Sequence, residues 1–206
     1  MSRYQPLIII CIIFSSLLSL IILSELLFQK HSAVWNAHIS SSFIFMWLML
    51  LQCVFMTAHK KIIIHKIIGF FSIASGYVIT ITALILTDNV TTNPFDSVLL
   101  EYIRFGISLL MIFFLTRAVV SICYRRYGTH WQSMLRCYAL AMGAGTQIIT
   151  HIPWFIMPSL LNETTRTISM LSAWAINLVI AELVIRNLSK QSRHKIPTTN
   201  GETYYE

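Results

Sequence analysis

The chain has 206 residues, 56% of them hydrophobic and only 11% charged, with a formal net charge of +7 and a mean hydropathy of +0.69. Soluble domains carry about 25% charged residues, so an ordinary soluble enzyme is excluded, and nothing offers the extended basic surface that nucleic-acid binding requires. Apolar runs of roughly 20 residues, each long enough to cross a bilayer, recur from end to end.

The first span is expected over 6–28. Its apolar stretch exceeds the roughly 7–15 residues of a secretory signal core, and no Ala-x-Ala-like cleavage site follows, so it reads as a retained helix. The second, 35–57, places His38, Ser41, Ser42, Phe45, Met49 and Gln52 at three- and four-residue steps, which is one helical face. The third, 62–86, does the same with His65, Gly69, Ser72, Gly76 and Ala83. Between the third and fourth spans, Thr87 to Ser97 with Asn93-Pro94 reads as a turn, because Asn and Pro interrupt the helical pattern.

The fourth span, 99–123, has Glu101 and Arg104 three residues apart at its outer end, and Arg117 within snorkelling reach of the other surface. The fifth, 132–160, aligns Arg136, Gly143, Gln147 and His151, with Pro153 and Pro158 breaking its far end. In the sixth, 166–187, Glu182 and Arg186 are four apart and placed to pair. A polar tail, 189–206, contains Pro197, Asn200 and Gly201 and is expected to be disordered. The fold class is therefore an all-α integral membrane protein, one transmembrane domain over 1–188 with six helices, the second to fifth forming a central four-helix bundle.

Lys and Arg set the orientation. Arg3, Lys60, Lys61, Lys66, Arg125, Arg126, Lys190, Arg193 and Lys195 fall on one side; Lys30 and Arg166 fall on the other, with Asp88, Asp96 and Glu163. Positive residues stay inside, so both termini are expected in the cytoplasm. Two sequons, Asn89-Val-Thr91 and Asn162-Glu-Thr164, lie on the outer side and matter only in a eukaryotic secretory pathway. Cys11, Cys53, Cys123 and Cys137 lack Cys-x-x-Cys spacing and read as reduced packing residues.

Ionisable groups inside spans are costly and usually face the bundle interior, which singles out the histidines. His65 and His130 lie near the inner surface. His38 lies near the outer one, and so does His151, about 31 Å beyond His130 at 1.5 Å per residue. The possible axial pairs for a haem iron are thus His65 with His130 and His38 with His151. His31, His59 and His194 read as solvated. Gly69, one turn from His65, leaves room either for close helix approach or for a flat cofactor. An inward Arg136 needs an anionic partner: a haem propionate, a lipid phosphate or a carboxylate.

The segment His130-Trp-Gln-Ser-Met134-Leu-Arg136-Cys-Tyr138-Ala139-Leu140 resembles a signature of the domain-of-unknown-function 2306 family, a group of multi-pass bacterial membrane proteins. His130, Met134, Arg136, Tyr138, Ala139 and Leu140 fall into register with it. His65-Lys66-Ile-Ile-Gly69 is similar to the family's His-Arg-x-x-Gly, and His38 to a histidine opening the preceding span. The resemblance covers about residues 35–150. Ser133 stands where the family usually has Trp, Ile148 where it has Arg, and His151 has no counterpart. The resemblance implies a bacterial inner (plasma) membrane location. More distantly, the helix-end histidines resemble those of two-haem membrane b-type cytochromes, a likeness of fold alone.

Two functions of different class follow. One is a haem-b electron-transfer protein with His65 and His130 on the iron, Arg136 at a propionate, His38 with His151 as an outer pair completing a transmembrane relay, and a redox partner. The other is a non-catalytic protein that binds a lipid or quinone from the bilayer or supports a membrane complex. A transporter fits less well, since no inverted repeat stands out. Hydrolytic and transferase motifs are not found, so the reading leans away from an enzyme.

Overall fold

A computed structural model describes residues 5–28, 32–57, 62–89 and 94–194. The described residues form α1 (Gln5–Phe28), α2 (Ala33–Thr57), α3 (Ile62–Asn89), α4 (Val98–Cys123), α5 (Tyr127–Ala141), α6 (Gly143–Thr150), α7 (Ile152–Ile156), a 3-10 turn (Pro158–Leu160) and α8 (Glu163–His194). Among them are five helices long and apolar enough to cross a membrane: α1, α2, α3, α4 and α8. The remaining crossing is made of pieces. α5 and α6 together run from residue 127 to 150, about 36 Å at 1.5 Å per residue, which is enough to traverse the hydrocarbon core.

The expected single helix over 132–160 is therefore corrected to α5, α6, α7 and a 3-10 turn. Gly143 and Gly145 weaken the helix where α6 begins. Pro153 and Pro158, each without an N–H, sit at the starts of α7 and the 3-10 turn. At the other end, α8 continues to His194, so residues 189–194 of the expected tail are helical. No Gly or Pro occurs before Pro197, so nothing in that stretch stops the helix as it leaves the bilayer. His31, His59, the Asn89 sequon beyond Asn89 itself, and residues 195–206 lie outside the described residues.

The core is shared by α2, α3, α4 and α5. Phe45, Leu115, Ala118 and Cys137 are fully buried there, with Met46, Met49, Ile79, Met111, Met134 and Tyr138 around them. This is the expected central bundle. α1 packs on α2 and α6, and α8 packs on α5 and α6. Outward-facing Ile, Leu and Phe side chains cover the perimeter, as a lipid-facing surface requires.

Several hydroxyls inside the bundle bond to carbonyls of their own helices, whereas those of Ser133 and Tyr138 are buried without a hydrogen-bond partner among the described residues. Ser41 and Ser72 donate to the carbonyls of Ala37 and Ile68 on their own helices, a back-bonding that leaves no exposed donor in hydrocarbon. At the α4–α5 turn, the Arg126 N–H bonds to the Ser121 carbonyl and that of Arg125 to Ile122. Arg125 adopts a positive φ of 56°. This is the Schellman pattern with arginine where glycine usually stands, and it sets two cations at one end of the molecule, here termed the Arg126 end. The opposite end is marked by Asp96.

Candidate functional site

Asp96 follows a turn at Pro94-Phe95 and precedes Ser97, whose hydroxyl caps α4 by accepting from the Leu100 N–H at 3.1 Å. The Ser97 hydroxyl also lies 2.7 Å from that of Thr167 on α8. The Asp96 carboxylate accepts from Arg104 Nη1 at 2.8 Å on one oxygen and from Arg166 Nε on the other. Its side chain is only 2% exposed. Burial by itself would raise its pKa, but hydrogen bonds and charge from Arg104 and Arg166 outweigh that and hold it below the usual carboxylate range. One carboxylate thus fastens the starts of α4 and α8. Arg104 pairs with Asp96 here, not with Glu101 on its own helix.

Below this clasp lies a cavity of about 430 Å³ walled by α1, α2, α3, α4, α5, α6 and α8. Its upper part, within two turns of the Asp96 end, is polar: Glu25, Trp35, His38, Thr87 and Arg104. Deeper in, it is mainly apolar, with Met46, Met111, Leu140 and Trp174, and Ser42, Thr80 and Ser108 among them. A polar mouth over an apolar floor suits a molecule with the same division.

His38 projects from α2 into this cavity. Its Nδ1 lies 3.2 Å from the Ile79 carbonyl and 3.0 Å from the Thr82 hydroxyl on α3. A carbonyl can only accept, so Nδ1 carries a proton, and when the ring is neutral Nε2 presents a lone pair. Gln147 on α6 also lines the cavity. His151 does not line it. That ring packs against Trp154 with centroids 4.2 Å apart, because α6 ends at Thr150 and the chain turns. The expected outer pair, His38 with His151, is not brought together.

At the Arg126 end, His130 donates Nδ1–H to the Ala118 carbonyl on α4 at 3.1 Å, and His65, near the start of α3, lies at the same end. The space beside Gly69 holds Gln52. A Cβ at Gly69 would come within 3.3 Å of the Gln52 amide nitrogen, which donates to the His65 carbonyl at 2.7 Å. Gly76 likewise receives Leu115 and Phe45. Both glycines admit neighbouring side chains. Arg136 meets the carboxylate of Glu182 on α8 through Nε and Nη2, the latter at 3.0 Å. The expected Glu182–Arg186 pair gives way to this one: a planar guanidinium from a facing helix makes two bonds at once, and Arg186 acts on Glu182 only through its charge. Replacing Glu182 by leucine should leave Arg136 unpaired within the membrane and cost about 2 kcal/mol or more, read as a lowered melting temperature in detergent; an unchanged melting temperature would show the pair to be idle.

Metal ligation has no ready-made cluster: no group of three His, Cys, Asp or Glu side chains able to hold an ion occurs among the described residues. Cys11, Cys53, Cys123 and Cys137 are free thiols. Asn162 of the second sequon caps α8, accepting from the Thr165 N–H at 3.0 Å.

A family model described as "Predicted membrane protein (DUF2306)" matches residues 35–185, which takes in α2 through most of α8. The chain belongs to this DUF2306 family. The match extends past the 35–150 legible in the motifs, so the family unit includes α8 and both of its ion pairs, while α1 precedes it. No curated protein and no solved structure matches the chain.

Residue-pattern reasoning missed three of the cavity's features. Glu25 and Trp35 were unremarkable at helix ends, and Trp174 was one apolar residue among many. Asp96 and Arg166 carried the only local clue, two opposite charges expected on one side of the membrane, but 70 residues separate them.

Proposed function

We propose that this DUF2306 protein binds an amphipathic molecule from the bilayer, a lipid or a quinone, in the cavity at the Asp96 end, with no catalysis of its own. The observation that carries this reading is the cavity's division into a polar mouth and an apolar floor within the bundle. Its about 430 Å³ falls in the range of roughly 300–1,000 Å³ typical of small-molecule sites. The excess of Lys and Arg at the Arg126 end supports cytoplasmic termini, so the cavity would open toward the outer leaflet of the plasma membrane.

Solvent extraction and mass spectrometry of protein purified in mild detergent test this. One lipid or quinone per chain is expected, and less in Ala83→Phe, which fills the cavity wall. Equal retention by both proteins, or none by either, overturns it.

Haem b between His65 and His130 is the second reading. It is favoured by the His130 Nδ1 bond to a backbone carbonyl, the way ligand histidines are usually held. Against it, Gln52 fills the space at Gly69 and Glu182 occupies Arg136, leaving that guanidinium no propionate to bind. The same purified protein, supplied with haem during expression, decides the matter: without a Soret band this reading ends.

A further inference from the structure

The face between α4 and α8 carries charge that the cavity does not use. Both helices run from the Asp96 end to the Arg126 end, and α5 packs against both. On that face the Arg136 guanidinium reaches Glu182 of α8 and lies 5.6 Å from the centre of the Phe114 ring of α4. Arg117 is three residues beyond Phe114, and Arg186 is four beyond Glu182. Residues at those spacings are neighbours on a helix surface, so the two arginines flank α5 one turn nearer the Arg126 end. Gln132, four residues before Arg136 on α5, stands at the same level. Both arginines are exposed, and among the described residues neither guanidinium makes a hydrogen bond or an ion pair. Glu182 cannot serve them, because both of its oxygens are committed to Arg136. Residues 117–136 and 182–190 set Arg117, Arg125, Arg126, Arg136, Arg186 and Lys190 against that single carboxylate.

Arg117 lies six residues, about 9 Å, short of the end of α4 at Cys123. A cation at that depth on a lipid-facing surface is costly unless it reaches the interface or meets an anion. Toward the bilayer centre the surface turns apolar: Gly106, Leu110, Phe113 and Arg117 form one stripe at steps of four, three and four. Nothing lies within 4 Å of a Cβ at Gly106. That open space is about 16 Å from Arg117, close to half of the roughly 30 Å hydrocarbon core, so an acyl chain of the same leaflet would end there. We infer that the groove between α4 and α8 holds an anionic phospholipid of the leaflet at the Arg126 end, its phosphate bound by Arg117 and Arg186 and its chains along the apolar stripe. Charge selects this occupant. Guanidinium groups make paired, charge-assisted bonds to phosphate, and basic pockets between membrane helices suit anionic headgroups. A zwitterionic lipid brings a cation that the arginines repel. A second copy of the chain is a poorer match, because the carboxylates of the described residues other than Glu182 lie toward the Asp96 end. Neither arginine lines the cavity, so this site is separate from the ligand site proposed above.

Native mass spectrometry of the full-length protein in detergent, titrated with dioleoylphosphatidylglycerol or dioleoylphosphatidylcholine, is the test. The first phosphatidylglycerol should bind about tenfold more tightly than the first phosphatidylcholine. Arg117→Gln combined with Arg186→Gln should remove most of that preference, and either substitution alone should remove part of it. Arg125→Asn combined with Arg126→Gln takes the same charge from the turn, with Asn tolerating the positive φ at 125, and should keep the preference. Equal binding of the two lipids by the wild type overturns the inference. So does an undiminished preference without Arg117 and Arg186, or an equal loss in both double variants, which marks a diffuse attraction and no site. Where the Arg117 and Arg186 double variant does not fold, the single variants decide, and an undiminished preference in both overturns it. A wild-type dimer that this double variant lacks assigns the groove to a second copy and overturns it likewise.

Discussion

Asp96→Ala should be the most damaging single substitution at the Asp96 end, lowering stability by about 3 kcal/mol. Removing one member of a buried ion pair typically costs about 3–5 kcal/mol, because the partner is left charged and uncompensated. Here two guanidinium groups lose their carboxylate together. Their side chains are 26% and 15% exposed, so each regains some solvent, and the lower end of that range applies. The loss should appear as a lower melting temperature in detergent; a change within 0.5 kcal/mol, the ordinary scatter of surface substitutions, would mean the clasp does not hold α4 to α8.

The same carboxylate gives the protein a dependence on acid. Asp96 has a folded pKa below its unfolded value, which lies near 3.9. Its stabilisation is therefore complete above about pH 4–5 and is lost as pH falls through the lower, folded value. Asp96→Ala should flatten this acid limb of the stability profile while leaving the neutral-to-alkaline side parallel to that of the wild type.

Gly143→Ala should be nearly as harmful although it adds a single methyl. A Cβ at this position would lie 2.2 Å from Trp174 Cδ1 and 2.4 Å from its Nε1. An indole ring cannot absorb that overlap by a small shift, so either Trp174 swings away or α6 and α8 separate. Overpacking usually costs about 1–3 kcal/mol, and the size of the clash places this case at the upper end. Because Trp174 also forms part of the cavity floor, ligand retention should fall with stability. Gly106→Ala supplies the contrast. Nothing lies within 4 Å of a Cβ there, and replacing a helical glycine by alanine is worth up to about 1 kcal/mol in favour of the helix. If both variants melt like the wild type, the tight α6–α8 approach is wrong.

Much of this architecture was legible in the residues. Length and polarity located α1 to α4 and the start of α8 within a few positions, since a bilayer demands runs of apolar residues that little else requires. The buried stripe through His38, Phe45, Met49 and Gln52 followed from helical spacing, and Ser41, Phe45, Met49 and Gln52 are buried. The fifth crossing resisted because hydropathy does not register a helix interruption: Gly143, Gly145 and Pro153 lie inside a segment whose apolar character continues past them.

The candidate site was legible only in part. His38 could be placed on an interior face, yet its bond to the Ile79 carbonyl depends on how α2 and α3 lean together. Gly69 shows the same limit. Spacing revealed a gap beside His65, while its occupant, Gln52, comes from the preceding helix, where it is one more residue on a buried face. Arg136 required an anion, and the answer, Glu182, is 46 residues away. Pairings of this kind belong to the packing of helices, which a local pattern does not encode.

The two ion pairs on α8 have a geometric corollary. Arg166 and Glu182 are sixteen residues apart, and at 3.6 residues per turn they point about 160° away from each other around the helix axis. The helix is thus gripped from nearly opposite sides at two heights, by the α3–α4 loop and by α5. A single grip would leave it free to roll; two grips in antiphase define its azimuth. Insertion or loss of one residue between them would turn one contact by about 100° relative to the other, so the distance between these charges acts as a phase constraint on the whole outer wall of the cavity.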